Sequence, residues 1–235
     1  MALSSIIDPD QGSLFRTAAR EIAAYLTNHS SQQHLVLGLC GGRSIVGLLS
    51  ALASSPESLT AFAPKLQIFL VDERLVSLDH PDSNYRLLKA ELFDRLISSG
   101  VIGAKQIHPF TEDGDAVSAA ERYAQLLETF GGRFDVAFLG AGEDGHVASL
   151  FPAHTVLRAE LPFVIVEDSP KPPSRRITAS APLLAKSGLT VVMFIGDSKR
   201  EAYKAFGDEE AGIEICPAKI ALEADETLVI SNLAG

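Results

Sequence analysis

At 235 residues, 46% hydrophobic and 21% charged, the chain has the size and composition of one globular domain, residues 1–235, with a sizeable core. The net charge of −10 disfavours nucleic acid or an anionic membrane as partner, since both demand a broad basic surface. No apolar run reaches the roughly 18 residues a membrane span needs, the opening MALSSIIDPDQGS has no signal-peptide pattern, and Cys40 and Cys216 alone give no disulfide framework, so a cytoplasmic protein is expected.

Residues 12–29 set Phe15, Ala18, Ala19, Ile22 and Leu26 on one face of a helix. HLVLGLC (34–40) is a short apolar run ended by Gly41 and Gly42, which predicts a buried strand, and RSIVGLLSALAS (43–54) predicts a helix. LQIFLVDE (66–73) predicts a strand. SNYRLLKAELFDRLIS (83–98) predicts a helix with Ser83 as its N-cap. Residues 115–130 read as helix and RFDVAFLG (133–140) as strand. LPFVIVE (161–167) and LTVVMFIG (189–196) are taken to complete the central set of strands, and a helix follows from Ser198 to Phe206. The Pro-rich EDSPKPPSRR (167–176) fits an active-site loop as well as a linker. Strands almost continuous in apolar residues, alternating with helices, argue for an α/β fold with a parallel sheet covered on both faces.

In such a sheet, ligands bind outside the carboxyl ends of the strands. Four predicted strand ends carry unusual residues: Gly41-Gly42-Arg43-Ser44, Asp72-Glu73-Arg74, Gly140 to His146, and Gly196-Asp197-Ser198-Lys199. Glycines between a strand and a helix let backbone N–H groups approach an anion, and Arg43 adds a donor suited to phosphate. The full Gly-x-x-x-x-Gly-Lys-Ser/Thr pattern of a nucleotide P-loop is absent, and a tight turn with a solvated arginine is the competing account, since glycine turns are common. Lys199 is placed to reach the same anion, its alternative being a solvated surface lysine. Arg175 and Arg176 precede a short predicted strand, ITAS, so alternation sends them to opposite faces and at most one reaches the site. Arg43, Arg74, Lys171, one of that pair, and Lys199 would form a basic pocket on an acidic protein.

FLGAGEDGHVASLFP (138–152) contains Gly-x-Gly-x-x-Gly at Gly140, Gly142 and Gly145. A dinucleotide fingerprint needs its last glycine to lead into a sustained helix, and here Pro152 stops HVASL within about two turns. Glu143 and Asp144 would also repel a pyrophosphate. The alternative is a catalytic loop, with His146 removing a proton from water and Asp144 fixing its tautomer. No other histidine has metal-ligand spacing to a second ligand-type pair, so metal catalysis is disfavoured. A Cys40–His146 dyad stays open, beside a Cys40 that simply packs at a strand end.

Leu37 to Ser44, FLVDERLVSLDHPDSNY (69–85), DVAFLGAGEDGHVASLFP (135–152), SPKPPSRRIT (169–178) and VVMFIGDSKREA (191–202) together resemble the 6-phosphogluconolactonase family, in that family's order and across most of the chain. The related glucosamine-6-phosphate deaminases usually carry Asp-Glu-Tyr where this chain has Arg74, and Asn-Glu-Pro where it has Leu150-Phe151-Pro152. The resemblance implies a Rossmann-like three-layer α/β/α sandwich. It also implies hydrolysis of 6-phospho-D-glucono-1,5-lactone, the second step of the oxidative pentose phosphate pathway, without metal or organic cofactor. By the same resemblance His146 is the general base, Asp144 supports it and Arg74 lies near the lactone or the phosphate. Gly41, Gly42, Lys199 and the basic residues of the Lys171–Arg176 loop hold phosphate, with Ser44 and Asp72 alongside as further substrate contacts. One departure is Gly-Gly-Arg-Ser-Ile where the family often has Gly-Gly-Ser-Thr-Pro, which leaves Arg43 less securely assigned than the glycines. The expected partner is a small phosphorylated lactone, with no obligate protein partner evident. An amino-sugar-phosphate isomerase or deaminase, a nicotinamide-dependent oxidoreductase and a non-catalytic sugar-phosphate sensor remain as alternatives.

Overall fold

The computed structural model describes residues 2–54 and 61–233. Its centre is a seven-stranded sheet in the order β1-β10-β9-β6-β2-β3-β5, parallel at every pairing. The strands are β1 (Ala2–Ile7), β2 (Leu35–Leu39), β3 (Leu66–Leu70), β5 (Ile107–His108), β6 (Val136–Gly140), β9 (Leu189–Phe194) and β10 (Glu226–Ser231). Every residue of β2 and β9 is buried, which requires cover on both faces. That cover comes from flanking helices such as α1 (Gln11–Asn28) and α2 (Arg43–Ala53), which pack on each other. The buried stripe of α1 holds Phe15, Ala18, Ala19, Ile22 and Leu26, the face set by its sequence period, with Leu14 and Ala23 beside it.

The chain leaves the main sheet straight after β3. Val71 N–H still donates to Leu39 O at 2.9 Å, but Asp72–Arg74 (β4) then joins β8 (Arg176–Ala179) and β7 (Phe163–Val166) in a small antiparallel sheet, order β4-β8-β7. The expectation that 161–167 joins the central sheet is therefore corrected. An apolar run such as FVIV reads alike in either sheet, and its partner here is β8, not a parallel neighbour. The Pro-rich segment is the loop between β7 and β8. β1 and β10 are strands that the apolar pattern did not mark.

Further helices follow along the chain. Ser83 Oγ accepts from Arg86 N–H at 3.1 Å and caps α3 (Asn84–Leu88), which runs through a π-helical turn (Lys89–Phe93) into α4 (Asp94–Ser98). After β5, α5 (Ala116–Glu128) packs on β7. After β8 comes α6 (Ala181–Ala185), and after β9 a 3-10 turn (Asp197–Lys199) leads into α7 (Arg200–Gly207). No helix among the described residues is long and apolar enough to cross a membrane.

Candidate active site

The chain order reverses direction in the sheet between β2 and β6. From β2 the chain crosses to β3 on one side, and β9 lies on the other side of β6. Such a switch point opens a crevice at the carboxyl ends of the strands. A cavity of about 130 Å³ lies there, lined by Cys40, Gly41 and Gly42 after β2, Asp72 and Arg74 of β4, Asn84, Gly140, His146 and Ala148 after β6, and Arg176 of β8.

His146 Nδ1 and Asp144 Oδ1 are 2.5 Å apart, which leaves Nε2 as the ring nitrogen free to act as base in the cavity that His146 lines. Gly142 is required for this pair. A Cβ there would lie 2.0 Å from His146 Nδ1 and 2.6 Å from Asp144 Oδ1. The loop opens no helix: Val147 and Leu150 form an isolated bridge, and Leu150 N–H returns to Val147 O at 2.9 Å. The glycine spacing therefore lacks the helix that a dinucleotide turn needs. Burial lowers the His146 pKa below its ordinary 6.5 and outweighs the opposing hydrogen bond and charge of Asp144. For Asp144, burial pulls upward, but the His146 hydrogen bond and charge and the Lys171 charge prevail, so its carboxyl stays below the usual range. The ring of Phe151 packs at 4.8 Å from the imidazole and steadies it.

Arg74 and Arg176 are directly opposite each other across the β4–β8 pair, and both line the cavity. Like charges facing across strands are destabilising unless an anionic group lies near both. Asp72, buried beside them, accepts from Ser149 Oγ at 3.0 Å and meets Asn84 Nδ2 at 3.3 Å. Arg74 Nη1 donates to Asp82 O at 2.5 Å, while its Nε is buried without a partner among the described residues. Glu73 faces away. Its carboxylate accepts from the backbone N–H of Arg74 (2.7 Å), Asn84 (2.8 Å) and Tyr85 (2.8 Å), and from Ser83 Oγ (3.0 Å), which ties β4 to the start of α3.

Arg43 and Ser44 begin α2 and do not line the cavity. Arg175 is turned away by strand alternation and pairs with Glu167 at 2.8 Å and Glu112 at 3.5 Å, so only Arg176 of the two reaches the cavity. Lys171 lies against Asp144 (3.4 Å) and Glu143 (3.8 Å). Lys199 ends the 3-10 turn after β9, on the same sheet edge as His146, since Gly140 pairs with Met193. Cys40 is buried, its thiol pushed up to about 12 by burial, and its Sγ accepts from Gly140 N–H at 3.2 Å. It is a packed, neutral thiol, which argues against a Cys40–His146 dyad. Among the described residues, no group of three or more His, Cys, Asp or Glu is placed to hold a metal ion. Asn84 and Ser149 were missed as site residues. Both lie in motifs, Ser-Asn-Tyr and Ser-Leu-Phe-Pro, whose roles only the fold reveals.

Residues 9–230 match the family model described as glucosamine-6-phosphate isomerases/6-phosphogluconolactonase. The chain belongs to this family. The 6-phosphogluconolactonase of Borreliella burgdorferi is 33% identical over 208 residues, which cover 88% of this chain and 87% of that one. The probable chloroplastic 6-phosphogluconolactonase 3 of Oryza sativa subsp. indica is 35% identical over 207 residues, 82% of this chain but 62% of that longer one. The crystal structure of 6-phosphogluconolactonase from Thermotoga maritima superposes with a TM-score of 0.82 at 23% identity, covering 97% of this chain and 99% of its own, and so shares the family fold.

The start of α2 carries no side-chain cap among the described residues. Gly42 is the N-cap with φ 115° and ψ 150°, a region essentially closed to other residues, and no side chain caps it. A Cβ there would meet no atom within 4 Å, so the cost of replacement is backbone strain alone. Gly42→Ala is expected to lose about 1–3 kcal/mol of stability, read as a fall in Tm of about 2–4 °C per kcal/mol. An unchanged Tm would contradict the strained-turn account.

Proposed function

We propose that this protein hydrolyses 6-phospho-D-glucono-1,5-lactone to 6-phosphogluconate. The observation that carries this reading is the Asp144–His146 pair lining a cavity shared with two facing arginines. The family and the lactonase relatives supply the substrate class.

In the proposed reaction, His146 Nε2 takes a proton from water as the water oxygen attacks the lactone carbonyl carbon. The carbonyl electron pair moves onto its oxygen, where Arg74 and Arg176 stabilise the negative charge. As the tetrahedral intermediate collapses, the bond from that carbon to the ring oxygen breaks, and imidazolium returns its proton to the leaving oxygen. The resulting carboxylic acid releases a proton to solvent. Asp144 stabilises imidazolium throughout, and Asp72 orients the cavity wall through Ser149 and Asn84. The phosphate is held by the backbone at Gly41 and Gly42, with Ser44, Arg43 and Lys199 at the same edge, so its binding fixes the carbonyl relative to the water. The two cysteines, both buried and unpaired, fit a cytoplasmic setting.

The direct test is lactone hydrolysis above the spontaneous rate, with glucosamine-6-phosphate offered in parallel. Acceleration with the lactone is expected. Turnover of the amino sugar alone would make the protein a deaminase.

Lys199→Ala is expected to cut kcat/KM by an amount equal to about 1.5–3 kcal/mol, one charge-assisted hydrogen bond. Unchanged kinetics would remove Lys199 from the phosphate site.

A further inference from the structure

Lys171 brings a positive charge into contact with the base pair instead of the cavity. Its Nζ lies 3.4 Å from Asp144 Oδ2, and the other oxygen of that carboxylate, Oδ1, holds His146 Nδ1 at 2.5 Å. One carboxylate thus joins an ammonium to an imidazole, each on its own oxygen. Glu143 Oε1, at 3.8 Å, is the second anion at the ammonium.

The loop that presents Lys171 is fixed from beneath. Arg176 Nη2 donates to Lys171 O at 2.9 Å and Pro172 O at 3.2 Å, and its Nε donates to Pro173 O at 3.0 Å. Ser169 Oγ also donates to Lys171 O at 2.9 Å. These bonds make Arg176 the floor of the loop as well as part of the cavity wall, and they hold the lysine backbone in place before substrate arrives.

We propose that Lys171 is a positioning residue of the catalytic pair: it orients Asp144 and, through Asp144, fixes the tautomer and base strength of His146, and it does not bind phosphate. This rests on the reading of His146 as the general base. An ammonium on the far oxygen favours ionised Asp144 and opposes a proton on the imidazole. Burial is the larger cause of the depressed His146 pKa, with the Lys171 charge acting in the same direction and Asp144 and Asp72 opposing it. The other ionisable groups around the ring are Asp72 and Arg74 from β4, Arg176 from β8, Cys40 after β2, and Cys216, which lies under Gly145 beside Asp144. Among the described residues, Lys171 is the one lysine or arginine in salt-bridge contact with Asp144.

Two measurements on intact protein test the proposal. The first is an NMR titration of the His146 ring, its signal assigned by its absence in His146→Gln. The second is the pH profile of kcat/KM for the lactone, together with inhibition by inorganic phosphate. Lys171→Met and Lys171→Gln are expected to raise the His146 pKa by about half a pH unit or more. The acid limb of the profile should move up with it, while phosphate inhibition stays at the wild-type value. Lys171→Arg should restore the wild-type limb. An unmoved His146 titration in folded Lys171→Met and Lys171→Gln proteins would overturn the proposal. So would a tenfold loss of phosphate inhibition with an unmoved profile, since Lys171 would then be a phosphate ligand. If wild-type protein accelerates no lactone hydrolysis, the functional reading fails, and the NMR titration still decides whether Lys171 governs His146.

Discussion

His146→Ala protein is expected to hydrolyse the phosphorylated lactone about 10²–10⁴-fold more slowly than wild type, the usual contribution of a positioned general base. The loss should fall on kcat. The elements proposed to hold phosphate, the start of α2 and Lys199, belong to other loops, so the product 6-phosphogluconate should still bind with near wild-type affinity. The pH dependence has a definite sign. Only neutral imidazole accepts a proton, so activity is complete above the His146 pKa and falls as pH drops through it. Because burial sets that pKa below 6.5, the acid limb should lie below 6.5 once spontaneous, base-driven opening is subtracted. Undiminished turnover in folded His146→Ala protein would reject His146 as the base. An acid limb above pH 7 would reject the depressed pKa.

Gluconolactone without its phosphate is expected to be a poorer substrate by a factor of about 10²–10⁴ in kcat/KM. Two lost charge-assisted hydrogen bonds at about 1.5–3 kcal/mol each give this range. On a protein of net charge −10, anions are repelled in general, so a site that accepts one must concentrate its cations and N–H groups. Arg74, Arg176, the bare start of α2 and Lys199 all lie on one edge of the sheet. Because bound phosphate also places the carbonyl, part of the loss should appear in kcat and not in KM alone. Equal kcat/KM for the two lactones would overturn the anion-site account.

Much of the central architecture could be read from the chain because β2, β3, β6 and β9 are nearly unbroken apolar runs, each ended by residues unsuited to a core. These strands are parallel neighbours, so their carboxyl ends share one edge. β1 escaped notice because ALSSII carries two serines and lies exposed at the sheet's edge, so no alternating or continuous apolar pattern marks it. Composition alone puts β7 in the central sheet because it reports burial, whereas partner choice depends on where β4 and β8 lie. At the site, Asp144 and His146 are close in sequence and could be paired on paper. Asn84 could not, since its bonds to Asp72 O (3.0 Å) and Oδ1 (3.3 Å) exist only after β4 turns out of the main sheet. The same holds for Lys171. Its charge suggested an anion partner in a substrate, and only the folded loop shows that the anion beside it is Asp144.

The outermost strand of the sheet has a consequence for how the chain is made. β1 is made well before its neighbour β10, with Ala2 beside Glu226 and Ile7 beside Ser231. β1 therefore waits for that partner until residues 226–231 are made, and β9 keeps an open edge until the same residues arrive. Contacts so distant in sequence slow folding, and an unpaired apolar edge invites pairing with a neighbouring chain. An extension or truncation that disturbs residues 2–7 would leave β10 as a bare rim in the finished protein. Its yield and solubility would suffer before its catalysis did, because the cavity lies at β2 and β6, toward the middle of the sheet.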